Sequence, residues 1–526
     1  MNYDGDEIPT IDEIQRELEA LKRRFGNNIQ ISVLQSDDVS GSVGDSPQAE
    51  PRTEFEFNHR PKDLKAYLDR FVIKQDEAKK ALAIAICDHY NHVRECAQNP
   101  KIPAEEYTKQ NIVLMGSTGV GKTFLVRTLA RLIGVPFVRA DATKFSETGY
   151  VGGNVEDLIR DLVIQADGDL NLASYGIVYL DEVDKIASPS DQVGRDVSGR
   201  GVQLGLLKLL EETEVDIRGP LDVQSQFQAF MEFQQRGKVD RQHVNTRHIL
   251  FIMSGAFNGL QGIIQRRLHQ HRLGFGADIP SRKGAFDYLP QVTSQDFIAF
   301  GFEPEFIGRL PVQVACQPLE VEDLYEILRR SEGSILHQYQ RAFRAYGIEV
   351  MFSDTGMRRL AELAHREGTG ARGLMTVLER LLRDYKFELS SSDRTRFVVT
   401  ADVVDHPREE LERLLHDPAY GEREVSREQV RRFEADFLER YGNRMVFDED
   451  AVARLCQLAS RRGISPQRLC EELFRGYEHG LNLIHKTTGR SEYHITAEVL
   501  DDPSGALERW VRETFSARNG DPAAVS

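Results

Sequence analysis

The octapeptide GSTGVGKT at 116–123 fits the pattern G-x-x-x-x-G-K-[ST], and it stands between an apolar run, IVLM, and a segment with helical spacing, FLVRTLARL. No other feature constrains the fold as much as this order of strand, glycine-rich turn and helix. Gly116, Gly119 and Gly121 let backbone N–H groups curl around an anion, and the N-terminus of the following helix adds partial positive charge. Lys122 is placed to meet terminal phosphates and Thr123 to ligate magnesium. Ser117, Thr118 and Val120 between them, with Phe124 just beyond, complete the expected nucleotide-binding set. ATP and Mg2+ are the expected cofactors.

Two more apolar runs, in GIVYLDE and HILFIMSG, alternate with segments of helical spacing. Apolar strands separated by helices predict an α/β domain whose parallel sheet is covered on both faces. Asp181 and Glu182 follow the second of these strands directly, which brings two carboxylates to the carboxyl edge of the sheet, where ligands bind. Asp181 is expected to hold hydrated magnesium. Glu182 is expected to orient and deprotonate the attacking water, because phosphoryl transfer needs positioning and charge neutralisation more than covalent help.

Composition narrows the class. A chain of 526 residues with 40% apolar and 29% charged residues predicts two to four soluble globular domains. A net charge of −16 argues against a sequence-independent grip on a phosphate backbone, so no nucleic-acid partner is expected. No apolar run approaches a membrane span, and the acidic amino terminus lacks a secretory signal, so a cytoplasmic location without membrane contact is expected. Cys87, Cys96, Cys316, Cys456 and Cys470 include no C-x-x-C pair and are read as buried apolar residues, with no zinc site. His89 and His92, three apart on a helix, are read as solvated.

Taken in order, GSTGVGKT, DATKFSETGYVG, IVYLDEVDK, RDVSGRGVQ and PEFIGRLP resemble the ClpX family of AAA+ protein unfoldases and the related HslU, from about residue 60 to 405. The resemblance implies an ATP-hydrolysing homohexameric ring that acts as a protein unfoldase on unfolded or tagged protein substrates. It makes Arg309 the arginine finger reaching a neighbour's nucleotide, Arg372 in GTGARGL the sensor-2 arginine, and Ser254 the sensor-1 position. Gly149, Tyr150, Val151 and Gly152 resemble the aromatic pore loop that grips a polypeptide. Residues 195–201 resemble a second pore loop, and Arg236, Lys238, Arg241 and His243 fall where the family carries a basic pore-entrance loop. Leu273, Gly274 and Phe275 resemble the Ile-Gly-Phe tip that docks on a ClpP-type peptidase, a loop HslU does not have. Val72 and Ile73 belong to the box beside the adenine, V-I-G-Q in the family. Here that box reads Val72, Ile73, Lys74, Gln75, and the lysine is expected to alter nucleotide preference or affinity.

Other departures concern the two ends. The family normally begins with a four-cysteine zinc module, and nothing of the kind precedes residue 60, so substrate delivery is expected to differ. Residues 11–25 read as a helix capped by Thr10, followed by a Ser/Gly/Asp/Pro-rich stretch at 35–53. Near the other end, YGIEVMFSD at Tyr346 returns as YGNRMVFDE at Tyr441, and TADVVDHP at Thr400 returns as TAEVLDDP at Thr496. Leu360, Leu363, Ala364, Gly368 and Leu374 align with Leu455, Leu458, Ala459, Gly463 and Leu469, which predicts a second copy of one small module. The copy has Gln467 and then Arg468 at the place of Arg372, so it is expected to lack a sensor role. The expected organisation is an amino-terminal helix and flexible linker at 1–59, a nucleotide-binding domain at 60–318, a small lid domain at 319–408, a linker at 409–425 and a second lid-like module with a disordered tail at 426–526. Threading into a peptidase, protease-independent remodelling and nucleotide-gated scaffolding are the three functions that fit.

Overall fold

The computed structural model describes residues 57–98, 109–145, 153–187, 199–217, 242–270 and 285–519. Its centre is a parallel sheet of five strands in the order β2 (Phe137–Asp141), β3 (Ile177–Asp181), β6 (Leu250–Gly255), β1 (Ile112–Met115), β7 (Val312–Ala315). A separate antiparallel pair joins β4 (Glu214–Asp216) to β5 (His243–Asn245). The apolar runs fill both faces of the parallel sheet because side chains alternate along each strand. Ile112, Leu114, Tyr179 and Ile252 pack on one side with helices Pro61–Phe71, Asp76–Gln98 and Lys122–Ile133. Val113, Met115, Leu180 and Met253 pack on the other with helices Asp157–Gln165, Gly199–Leu210 and Leu260–Gln270. This is the predicted α/β core, with β1 and β3 side by side with β6 so that both chemical motifs emerge at one edge.

Residues 319–416 have a core of their own, built on the parallel pair β8 (Glu349–Phe352) and β9 (Arg396–Val399) and on helices Asp354–Arg366 and Ala371–Leu389. A similar order of elements returns at 444–519, with the second helix between the strands split in two. There β10 (Arg444–Phe447) pairs in parallel with β11 (Glu492–Ile495), and helices Glu449–Arg462, Pro466–Leu473 and Tyr477–Thr488 lie between them. Its core is again separate, centred on Leu455, Leu469, Leu481, Tyr493 and Ile495. Residues 409–425, expected to be a linker, are helical: they fall in Pro407–His416 and in the 24-residue helix Pro418–Tyr441. Their apolar side chains explain the difference. Leu411 and Leu414 join the first small core, Val425 packs with Met351 and Val398, and Phe433 and Phe437 on the same long helix join the second core.

His89 is fully buried rather than solvated, with Nε2 2.9 Å from the His248 carbonyl oxygen. Burial pushes its pKa down to about 3, so it is a neutral packing residue. Cys87, Cys316 and Cys470 are buried as expected, whereas Cys96 and Cys456 are only half-buried. Among the described residues no helix is long and apolar enough to cross a membrane. The helix expected at 11–25 lies outside them.

Candidate active site

The phosphate loop is held open by backbone geometry that only glycine tolerates well. Gly116, Gly119 and Gly121 have φ of 150°, 80° and 100°. A Cβ on Gly119 would stand 2.0 Å from the Thr369 carbonyl oxygen, so the loop and the small domain touch backbone to backbone. The Ala371 amide donates to the Gly119 carbonyl at 2.9 Å. The first turn of helix Lys122–Ile133 thus opens into a cleft of ≈ 390 Å³ between the two domains. Thr118, Gly119, Gly121, Lys122, Thr123 and Phe124 line it from the loop, Asp181 and Glu182 from the end of β3, and Arg372 from the small domain.

Lys122 donates to the carbonyls of Gly116 at 2.5 Å and Ser117 at 3.0 Å. Burial pushes its pKa down, partly offset by Cys316, Asp181 and Asp184. Such a desolvated ammonium group gains from an arriving polyphosphate, which supplies negative charge without rehydration. On Asp181, Oδ1 accepts from the Ser254 hydroxyl at 2.6 Å and the Glu182 amide at 3.1 Å. Oδ2 accepts from Arg139 at 3.0 Å and Thr123 Oγ1 at 3.4 Å. Burial alone would raise the Asp181 pKa; Ser254, the Glu182 amide, Arg139 and Lys122 outweigh it and hold the carboxyl below its ordinary value. Glu182 has φ 57° and ψ 30°, a left-handed backbone that costs about 1–3 kcal/mol and is found where function demands a fixed direction.

Several expected residues sit elsewhere. Ser254 is fully buried and does not line the cleft; it acts through Asp181 and through Tyr179, whose hydroxyl is 2.6 Å away. The strand end has two faces, and the cleft side is filled by Gly255, Ala256 and Asn258. Val72 packs behind Gly121, and neither it nor Ile73 lines the cleft. Lys74 has φ 60°, the left-handed conformation that suits a glycine in the family's box. Its side chain turns away from the cleft to the Pro318 carbonyl at 2.8 Å and Asp323 at 2.6 Å. It therefore bridges domains instead of facing the base. Gln75 is buried and donates to the carbonyls of Val120 and Gln317 at 3.3 and 2.7 Å, linking the loop to the segment that leads into the small domain. Arg309 is outside the cleft, exposed and paired with Glu211 at 2.7 Å.

Sequence reasoning did not find Asp184, Lys185 or Asn258, which also line the cleft. Asp184 is nearly buried and accepts from the amides of Ala256 and Phe257 at 3.3 Å each, tying β3 to the turn after β6. The spacing D-E-x-D offered a signal for it. Gly149, Tyr150, Val151, Gly152, Leu273, Gly274, Phe275, Arg236, Lys238 and Arg241 lie outside the described residues, as do 195–198.

Residues 107–313 match the AAA domain (Cdc48 subfamily). The ATP-dependent Clp protease ATP-binding subunit ClpX of Borrelia duttonii (strain Ly) is 39% identical over 347 residues, 65% of this chain and 78% of that relative. The ClpX of Borrelia recurrentis (strain A1) gives the same figures. The chain belongs to the ClpX family of AAA+ ATPases. A ClpX-type ATPase hydrolyses ATP, and in this chain the loop, the carboxylates and the small-domain arginine converge on one cleft. The family resemblance read from five short motifs is thereby upheld.

Proposed function

We propose that this ClpX-type ATPase forms a six-membered ring, binds Mg2+ with ATP, and pulls protein substrates through its centre into a ClpP-type peptidase. The Gly119–Ala371 backbone bond carries this reading. Nucleotide is sandwiched between two domains, so its arrival and hydrolysis change the angle between them, and a change of angle is what a motor transmits. Thr123 Oγ1 and Asp181 Oδ2, 3.4 Å apart, form a hard-oxygen pair that fits magnesium. When bound, the metal neutralises charge on the transferring phosphoryl group. Lys122 leaves its loop carbonyls for the phosphates. Glu182, fixed by its left-handed backbone, orients the attacking water and takes its proton. Arg372 closes on the phosphates from the small domain.

Arg309 is exposed and absent from its own cleft, which supports a role on a neighbouring subunit. Tyr150, flanked by Gly149, Val151 and Gly152, is assigned to substrate grip, and Leu273, Gly274 and Phe275 to the peptidase. The second small module is assigned to docking or to the ring periphery. Its match to Gly370 is Ser465 with φ −71°, and Pro466 begins the helix, so it does not reproduce the glycine that meets the phosphate loop.

The test is ATP-dependent degradation of a folded, tagged reporter with and without a matching ClpP. Degradation that needs ClpP and is lost in Glu182→Gln and Phe275→Ala supports the proposal. Loss of reporter fold regardless of ClpP replaces it with protease-independent remodelling.

A further inference from the structure

Asp181 has a partner that the hydrolytic machinery does not use. Arg139 lies on β2, in register with Tyr179 on β3, while Asp141 is in register with Asp181. Side chains two apart on a strand share a face, so Arg139 and Asp181 rise on the same side of adjacent strands. The guanidinium runs along that face to the strand end and donates to Asp181 Oδ2 at 3.0 Å. This is the oxygen that also receives Thr123 Oγ1. The other oxygen is taken by Ser254 and the Glu182 amide.

The Asp181 oxygen on the Thr123 side, where a hydrated divalent cation would sit, is therefore shared with a cation belonging to the chain itself. Arg139 is 43% exposed and Asp181 16%. The guanidinium is free to swing into water, whereas Ser254 and the Glu182 amide stay fixed by the fold.

We propose that Arg139 is a stand-in cation for the metal: it neutralises and orients Asp181 when the site lacks Mg2+, and metal entry must displace it. The inference rests on Asp181 and Thr123 being the metal-holding pair. Arg139 acts through Asp181 and is thus a positioning residue. Free metal meets competition at Oδ2, while metal arriving on a polyphosphate brings further oxygen ligands and wins, so Arg139 couples metal entry to nucleotide entry.

A partly exposed ion pair is worth roughly two- to fivefold in an equilibrium constant. The experiment measures binding of a fluorescent ATP analogue to the full chain across a free Mg2+ series, for the wild type, Arg139→Met, Arg139→Lys and Asp181→Ala. Arg139→Met keeps the stem and removes the charge, and should lower the half-saturating Mg2+ by about two- to fivefold. Arg139→Lys should fall between it and the wild type, a graded response that a purely structural role would not give. An unchanged Mg2+ requirement in Arg139→Met overturns the inference. Weaker binding at saturating Mg2+ also overturns it and makes Arg139 a nucleotide contact. If Asp181→Ala leaves the Mg2+ dependence of the wild type intact, the underlying metal pair is wrong and the inference falls with it.

Discussion

Lys74 Nζ lies 2.6 Å from Asp323 Oδ2, across 249 residues of chain and from one domain to the next. Both side chains are about three-quarters or more buried, at 24% and 20% exposed. Beside them Arg70 forms a two-pronged pair with Glu332 at 2.8 and 2.9 Å, and the Ser331 hydroxyl donates to the Phe71 carbonyl at 2.7 Å. The segment before the phosphate loop is thus stitched to the start of the small domain, and Lys74 makes its stitch from a strained, left-handed backbone. In a cycle of Lys74→Met and Asp323→Asn measured by urea unfolding, a coupling of about 1 kcal/mol is expected. Lys74→Gly relieves the backbone while cutting the stitch, so nucleotide should dissociate several times faster, read by stopped-flow release of a fluorescent analogue.

Gly370 gives a second prediction. Its φ of 58° and ψ of −142° belong to a region nearly restricted to glycine, and a Cβ there would stand 2.7 Å from the Gly119 carbonyl oxygen. Gly370→Ala should cost about 1–3 kcal/mol at this contact and weaken nucleotide binding about tenfold or more. Isothermal titration with a non-hydrolysable analogue checks this. Ser465→Ala at the matching place in the second module should leave that affinity unchanged.

Stability should also depend on Glu428. This carboxyl sits on helix Pro418–Tyr441, 4% exposed, beside a cavity of ≈ 870 Å³ between that helix and the first small domain. Burial pushes its pKa up to about 7; Arg432, 3.7 Å away, and Arg431 pull it down, while Asp354 pushes it up. The folded state therefore holds a proton that the unfolded chain releases near the ordinary glutamate value. By linkage, the contribution is fully present below about pH 4.5 and is lost as pH rises toward about 7. Glu428→Gln should flatten this slope and stabilise the helix junction by about 1–3 kcal/mol at pH 8, seen in urea midpoints at pH 5 and pH 8.

The parts of the site that were legible in the sequence are those fixed by short-range order. Lys122 and Thr123 follow a strand and open a helix, Asp181 and Glu182 end another strand, and parallel packing leaves one edge for both. What was not legible depends on distant contacts. Nothing local tells that Lys74 turns to Asp323 instead of the base, because that choice is made by a helix in the other domain. Ser254 was placed on the nucleotide by its resemblance to the sensor-1 position; only the packing of Tyr179 shows that its hydroxyl faces inward. Residues 409–425 looked like a linker because charge surrounds Leu411, Leu414 and Val425, each of which finds its partners only in the folded first small module. Arg139 lay between these cases: its strand neighbours Asp181, yet its role needed the register.

Arg309 supplies the last prediction. It follows the short helix Pro304–Gly308, and its backbone is anchored by Asn111 Nδ2, which donates to the Arg309 carbonyl at 3.1 Å. Its side chain is 53% exposed, and the 2.7 Å pair with Glu211, itself 44% exposed, contributes little to stability. A well-anchored backbone under a loosely held guanidinium suits a residue waiting for a charge supplied by another molecule. A finger of this kind raises phosphoryl-transfer rates about 10³-fold or more. Arg309→Ala should therefore lose ATPase activity while still binding nucleotide, and Glu182→Gln should do the same for a different reason. Mixing the two decides between action within a subunit and action across an interface. In a mixed ring, a Glu182→Gln subunit still offers Arg309 to an Arg309→Ala neighbour whose own Glu182 is intact. Activity that appears on mixing two inactive proteins, and that rises with total concentration, is the expected result. Two proteins that stay inactive in every ratio, though co-assembled by size-exclusion chromatography, would place the action of Arg309 within its own subunit.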